Sequence, residues 1–242
     1  MNSELSAKLE AALANNDLLQ SSFNNMCELL TGSENPVYEA SIAELATSGN
    51  WLELNNRFFK KLAFGTGGLR GRSIGETVTA AERGSAGPDD RPEFPCVGTS
   101  SLNYYNITRA TLGLVRHLKK SYTGKGRSSI AVARDTRYFG KAFADRVTKV
   151  AIENGVDIHI FPVPRSTPHL SFAVRHLGTT AGIVLTASHN PPHDNGYKVY
   201  ADDGAQIVEP DASQIIAEVE AVSGETYDIL SADEQGQVHE PT

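Results

Sequence analysis

Residues 181–201 read AGIVLTASHNPPHDNGYKVYA, and the fold turns on how this run is parsed. AGIVLTA (181–187) is an unbroken apolar run of strand length, the pattern of a strand buried on both faces. Pro191 and Pro192 then lock the backbone and forbid a helix. Asn195-Gly196 reverses the chain, and GYKVYA (196–201) carries it back. AQIV (205–208) follows across Asp203-Gly204 and reads as the other arm of a hairpin. Ser188 therefore sits just past the end of a buried strand, where ligands of open α/β sheets gather. The returning strand is expected to bring Lys198 close to Ser188.

Working outward, the pattern alternates. SIAVARD (129–135) reads as a buried strand and DIHIFPV (157–163) as a strand. Residues 140–155, 167–177 and 211–222 read as helices, the first stopping at Asn154-Gly155. Alternating strands and helices imply an α/β domain whose sheet is covered on both faces. A long helix is expected from about Ser100 to Tyr122. Residues 75–98 read as loop, with Gly, Pro, Asp and Ser clustered from Gly84 to Pro92. Residues 3 to 60 carry helical spacing, interrupted at Asn35-Pro36, with a further helical stretch beginning near Tyr38. The expected organisation is a helical extension over 1–58, the α/β domain over 59–223, and a polar linker over 224–242.

Bulk composition narrows the function. Lys+Arg is 22 against Asp+Glu 29 in 242 residues, a net charge of -7, which favours neither nucleic acid nor an anionic membrane. An anionic substrate must then be held by local basic residues. Cys27 and Cys96 follow no metal or redox spacing and read as ordinary thiols. The start, MNSELSAKLEAALANNDLLQ, lacks the basic residues and apolar run of a secretory signal, and no stretch approaches a membrane span. The expected location is the cytoplasm.

The loop after 187 has chemistry to offer. A serine hydroxyl needs a partner to become reactive, and His189 and Lys198 are the available neighbours. The flanking residues are not a G-x-S-x-G elbow, and an adjacent histidine is poorly placed as a triad base. His189 and His193 are four apart, but the prolines between them exclude a helical zinc pair. A rigid hairpin connector accounts for the same turn residues. FGTGGLRGR (64–72) is a second cluster: its glycines allow backbone N–H groups near an anion, and Arg70 and Arg72 add forked charge. It is neither a P-loop nor a G-x-G-x-x-G turn, and a flexible turn accounts for the same glycines equally well. ARDTRYFG (133–140) places Arg-Asp-x-Arg at a strand end, as an internal ion pair or as help to a site.

Taken together, TASHNPPHDNGYKVY, FGTGGLRG and ARDTR resemble the α-D-phosphohexomutase superfamily, the phosphoglucomutases and phosphomannomutases. The run 166–210 looks most like the phosphoglucomutase/phosphopentomutase branch. The resemblance spans roughly Phe59 to Pro210. It implies a three-layer α/β/α sandwich with a mixed sheet, the family's first domain. It implies a cytoplasmic isomerase of carbohydrate metabolism in which Ser188 carries a phosphoryl group, gives it to a sugar monophosphate, and regains the other phosphate from the bisphosphate intermediate. Arg70 matches the arginine facing the phosphoserine. His189 and Lys198 match charge-stabilising or acid/base groups. Thr66, Gly67, Gly68, Asn190 and Arg134 would bind phosphate or substrate. Magnesium would touch Ser188 through its phosphate, and a sugar bisphosphate would serve as activator.

The family's other magnesium ligands are aspartates of a D-G-D-G-D-R loop in a second domain, and no such loop occurs here. Asp202-Asp203-Gly204 reads instead as a hairpin turn. The chain is expected to be a fragment that packs against missing domains of the same chain and turns over little by itself. The sugar would be glucose phosphate, with pentose or mannose phosphate the alternative. A sugar-phosphate-binding module without turnover, and more remotely a serine hydrolase, complete the readings.

Overall fold

The computed structural model describes residues 1–65 and 67–241. The described residues form two compact units. The first comprises 1–62, 71–106 and 223–226, and the second comprises 63–70, 107–222 and 227–241.

The first unit opens with helices α1 (Ser3–Ala14), α2 (Gln20–Thr31), α3 (Pro36–Thr47) and α4 (Trp51–Phe58). The interruption at Asn35-Pro36 is a helix start. Asn35 accepts a hydrogen bond from the Val37 N–H, and Pro36 occupies the first turn, where its missing N–H costs nothing. Leu5, Leu9, Met26, Leu29, Ile42, Leu45, Leu54 and Phe58 close one apolar core with Val97 and Tyr105. This unit is wider than the extension expected over 1–58, because residues 71–106 fold with it. The buried Arg57 shows why. It donates to Glu53 (2.8 Å), to Glu82 (2.5 Å) and to the carbonyls of Thr77 and Val97. The expected loop over 75–98 contains a short helix, α5 (Ala80–Arg83), opened by a capping box between Thr79 and Glu82.

The second unit is the α/β domain. Its six-stranded sheet runs β1 (Gly68–Arg72), β5 (Asp194–Ala201), β4 (Ala181–Leu185), β2 (Ser129–Arg134), β3 (Asp157–Ile160), β6 (Val238–His239), though the last two residues of β1 belong to the first unit. The sheet is mixed. β2 pairs in parallel with β3 and β4, β6 pairs in parallel with β3, and β5 runs antiparallel to β4. Helix α6 (Tyr104–Ser121) begins in the first unit. From residue 107 on it covers one face together with α7 (Gly140–Glu153), and α9 (Asp211–Glu220) packs on α6, with Val219 against Gly113. On that face Thr111 of α6 donates to the Tyr197 hydroxyl (3.3 Å), and Leu112 packs with Val150 and Val222. Helix α8 (Thr167–Leu177) covers the other face, setting Leu170, Ala173 and Val174 on Ala131, Ala133, Val184 and Tyr200. Alternate residues of β4 and β5 thus serve opposite layers, which is why AGIVL is buried at every position.

Two expectations change. Residues 205–208 form no strand of their own, only a bridge at Gln206 and two backbone bonds to Ala201 and Val199. The polar tail is more than a linker, because Val238–His239 adds a parallel strand beside β3 and stacks His239 on His159 at 4.8 Å.

Candidate active site

The adjacent parallel strands β2 and β4 end together, and the segments leaving them build the site. Past β4, the Thr186 N–H bonds the Gly196 carbonyl at 3.0 Å, continuing the pairing with the returning strand. A Cβ at Gly196 would lie 2.3 Å from the Thr186 oxygen, so only glycine lets the strands approach this closely. Ser188 then adopts a left-handed conformation, φ +56°. For a residue other than glycine this costs about 1–2 kcal/mol, so other bonds must hold it.

They are abundant. Thr186 Oγ1 donates to Asp135 (2.5 Å) and accepts the Ser188 N–H (3.0 Å). The Asn190 N–H bonds the Ala187 carbonyl, and Asn190 Nδ2 donates to Asp194 (2.9 Å). Asn195 Nδ2 donates to the Tyr138 carbonyl (3.0 Å). The Ser188 hydroxyl faces solvent, with His189 Nδ1 at 3.3 Å.

Of the residues expected at the site, Ser188, His189, Asn190 and Arg70 come together. Arg70 lies exposed on β1 and reaches Asn190 Oδ1 at 3.5 Å. Lys198 lies on β5 opposite Val184, and no hydrogen bond joins it to Ser188, so the closeness expected of them is not realised as a contact. Arg134 is not gathered into the loop. It turns toward β3 and bonds the Pro162 carbonyl at 3.3 Å. The glycine turn is also less open to an anion than expected. The N–H groups of Gly65 and Gly68 bond each other's carbonyls at 2.9 Å, and the Gly67 carbonyl accepts from Val199 and Gln206. Gly68, at φ +135°, instead permits backbone contact, since a Cβ there would sit 1.8 Å from the Tyr197 oxygen. Thr66 lies outside the described residues.

The sequence reading set Arg137 within an Arg-Asp-x-Arg ion pair but not at the serine loop; it pairs with Asp135 at 3.3 Å and also bonds carbonyls of that loop. The readable signal was ARDTR itself. Asp135 and Arg137 follow a strand that neighbours β4, and their ion pair also serves the site. A recess of about 410 Å³ opens here between Asp135, Arg137, Tyr138, Ser188, Asn190 and Pro192.

A mixed α/β/α sheet with a rigid, serine-presenting loop at its strand ends defines the class of this domain. Residues 96–225 match the model of the phosphoglucomutase/phosphomannomutase alpha/beta/alpha domain I. The chain belongs to this family, the α-D-phosphohexomutases, as a first domain. It is 33% identical to a Mus musculus phosphopentomutase over 187 residues, 75% of this chain and 27% of that protein. It is 37% identical to a Staphylococcus haemolyticus phosphoglucomutase over 158 residues, 65% of this chain and 24% of that protein. A solved structure from Thermus thermophilus, described as a "putative phosphomannomutase", superposes with a TM-score of 0.53 at 27% identity, covering 75% of this chain and 33% of that one. The chain thus spans about a quarter of the length of the curated relatives it matches. Among the described residues no helix is long and apolar enough to cross a membrane.

Proposed function

We propose that this chain is the serine-bearing domain of a phosphosugar mutase, and that Ser188 carries the phosphoryl group. The observation that carries this reading is Ser188 itself. It is a non-glycine residue held left-handed beyond a buried strand, with its hydroxyl exposed and an imidazole 3.3 Å away. Strain of this kind persists where the surroundings over-determine a functional geometry.

In the proposed reaction the P–O bond to Ser188 Oγ breaks as a P–O bond forms to a sugar hydroxyl, whose proton leaves to a base. The bisphosphate then turns and returns its other phosphate to Ser188 Oγ. Phosphoryl transfer of this kind needs positioning and charge more than covalent help. The loop supplies position, and Arg70 and His189 supply the nearest charge or proton partner. Lys198, on β5 opposite Val184, is a further cation proposed for the reaction from the family resemblance. The substrate class is a sugar phosphate. Glucose 1-phosphate and glucose 6-phosphate are the first choice, with pentose or mannose phosphate next, and a sugar bisphosphate would charge the serine.

Magnesium is the ion this family implies. Among the described residues no three His, Cys, Asp or Glu side chains gather to hold a metal. The residues present therefore do not make a magnesium site, and beyond a phosphate on Ser188 they offer it no ligand set.

The test is the mass of the peptide containing Ser188, from protein incubated with glucose 1,6-bisphosphate and magnesium. One added phosphoryl group on Ser188, absent from Ser188→Ala, is the expected result. Ser188 left unmodified both in this chain and in the chain joined to a second domain carrying the D-G-D-G-D-R metal loop would overturn the phosphoserine mechanism and favour a module that binds sugar phosphate without turnover.

A further inference from the structure

We propose that Arg137 is the positioning residue of the serine loop: its guanidinium keeps Ser188 in the left-handed conformation that presents the hydroxyl. The inference rests on the reading of Ser188 as phosphoryl carrier, but its geometry stands apart from that reading.

A guanidinium offers a planar fork of five N–H donors. In Arg137 the terminal nitrogens meet four carbonyls of one short loop. Nη1 donates to Pro191 (2.7 Å) and Asp194 (3.0 Å). Nη2 donates to Ser188 (2.8 Å) and Asn190 (2.6 Å). Nε faces the Asp135 carboxylate at 3.3 Å. Asp135 is itself oriented from two sides, by the Arg137 N–H (2.9 Å) and by Thr186 Oγ1 (2.5 Å). The Thr186 hydroxyl in turn receives the Ser188 N–H. The peptide N–H and C=O of Ser188 are therefore both tied to the Asp135–Arg137 pair, one through Thr186 and one directly.

The side chain is only 10% exposed, with its bonds to Asp194 and Asn190 part-buried and those to Pro191 and Ser188 at the surface. All four terminal N–H groups are spent on carbonyls, and none is left for a phosphate. Arg137 thus acts through the loop and not on the transferring group. Lysine cannot replace it, because three donors on one nitrogen cannot span carbonyls distributed from 188 to 194.

The competing account is that Pro191, Pro192 and the Asn190–Asp194 bond hold the loop unaided. Amide exchange and the Ser188 backbone coupling, measured by NMR on the whole chain, separate the two. In Arg137→Ala and Arg137→Lys, exchange at Ser188, Asn190 and Asp194 is expected to rise roughly 10-fold or more, as for loss of local hydrogen bonds, while Ile183 and Val199 keep wild-type rates. The Ser188 coupling should leave its left-handed value. Methylguanidinium should restore both in Arg137→Ala, and methylammonium should not. Charging of Ser188 by glucose 1,6-bisphosphate should fall in parallel and recover with the same additive.

Wild-type exchange and coupling in both variants would overturn the proposal, as would a uniform rise across the sheet that methylguanidinium does not reverse. A wild-type chain with a rigid loop and an uncharged Ser188 would count against the phosphoserine reading alone, and the exchange result would still decide the clamp.

Discussion

Arg57 and Arg137 are both withdrawn from solvent, yet they are used differently. Arg57, 3% exposed, is surrounded by carboxylates and carbonyls inside the first unit, with Glu53 and Glu82 as its counter-ions. Arg137 spends its terminal N–H groups on the carbonyls of an exposed loop, and its one carboxylate partner is part of the same device. The first arginine neutralises charge that the interior must not leave unpaired. The second fixes the path of a backbone that would relax without it. Comparable chemistry therefore yields stability in one place and geometry in the other.

The sharpest way to break the comparison is Arg57→Ala. It strands two buried carboxylates and is expected to cost about 3–5 kcal/mol in urea unfolding. Next comes Cys96, which is 2% exposed and lies beside that cluster. Burial pushes its thiol up to about 11, against the pull of Arg57. The unfolded chain then loses this proton at lower pH than the native one. Stability from this group is intact below about pH 9 and declines as pH rises, by roughly 2 kcal/mol at pH 11. Cys96→Ala should remove that part of the alkaline loss in unfolding curves taken at about pH 8 and pH 11. Smallest is Arg137→Lys, expected to change global unfolding by about 1 kcal/mol or less while loosening the loop. If Arg137→Lys costs as much as Arg57→Ala, the division of labour drawn between them fails.

Much of this was legible from residues alone. AGIVL had to be a covered strand, and Ser166 followed by Pro168 started α8 where expected. Ser188 at the end of β4 followed from the prolines and Asn195-Gly196. Harder to read was anything that depends on which strands are neighbours. Arg134 ends β2 and Arg137 follows three residues later, and the sequence does not say which one turns toward the segment after β4. It is the latter, because Asp135 intervenes and anchors it. The glycine turn misled for a related reason: its N–H groups looked available, yet Gly65 and Gly68 consume them in each other. Helix α5 was readable after all, as Thr79 and Glu82 are spaced as a capping box. The strand at 238–239 has no sequence signal. Two residues carry no periodicity, and only the open side of β3 makes them a strand.

That last strand has a consequence for how the molecule meets its own copies. An open sheet offers unpaired N–H and C=O groups at each border, a template for adding a foreign strand and for aggregation. Here one border is β6, only two residues long, and the other is the glycine- and arginine-bearing β1, GLRGR. A short strand gives an intruder little to grip, and Arg70, exposed on the other border, sets charge against it. The sheet's long, apolar strands are all interior, so the segments most able to nucleate a fibril never form a border in the folded state.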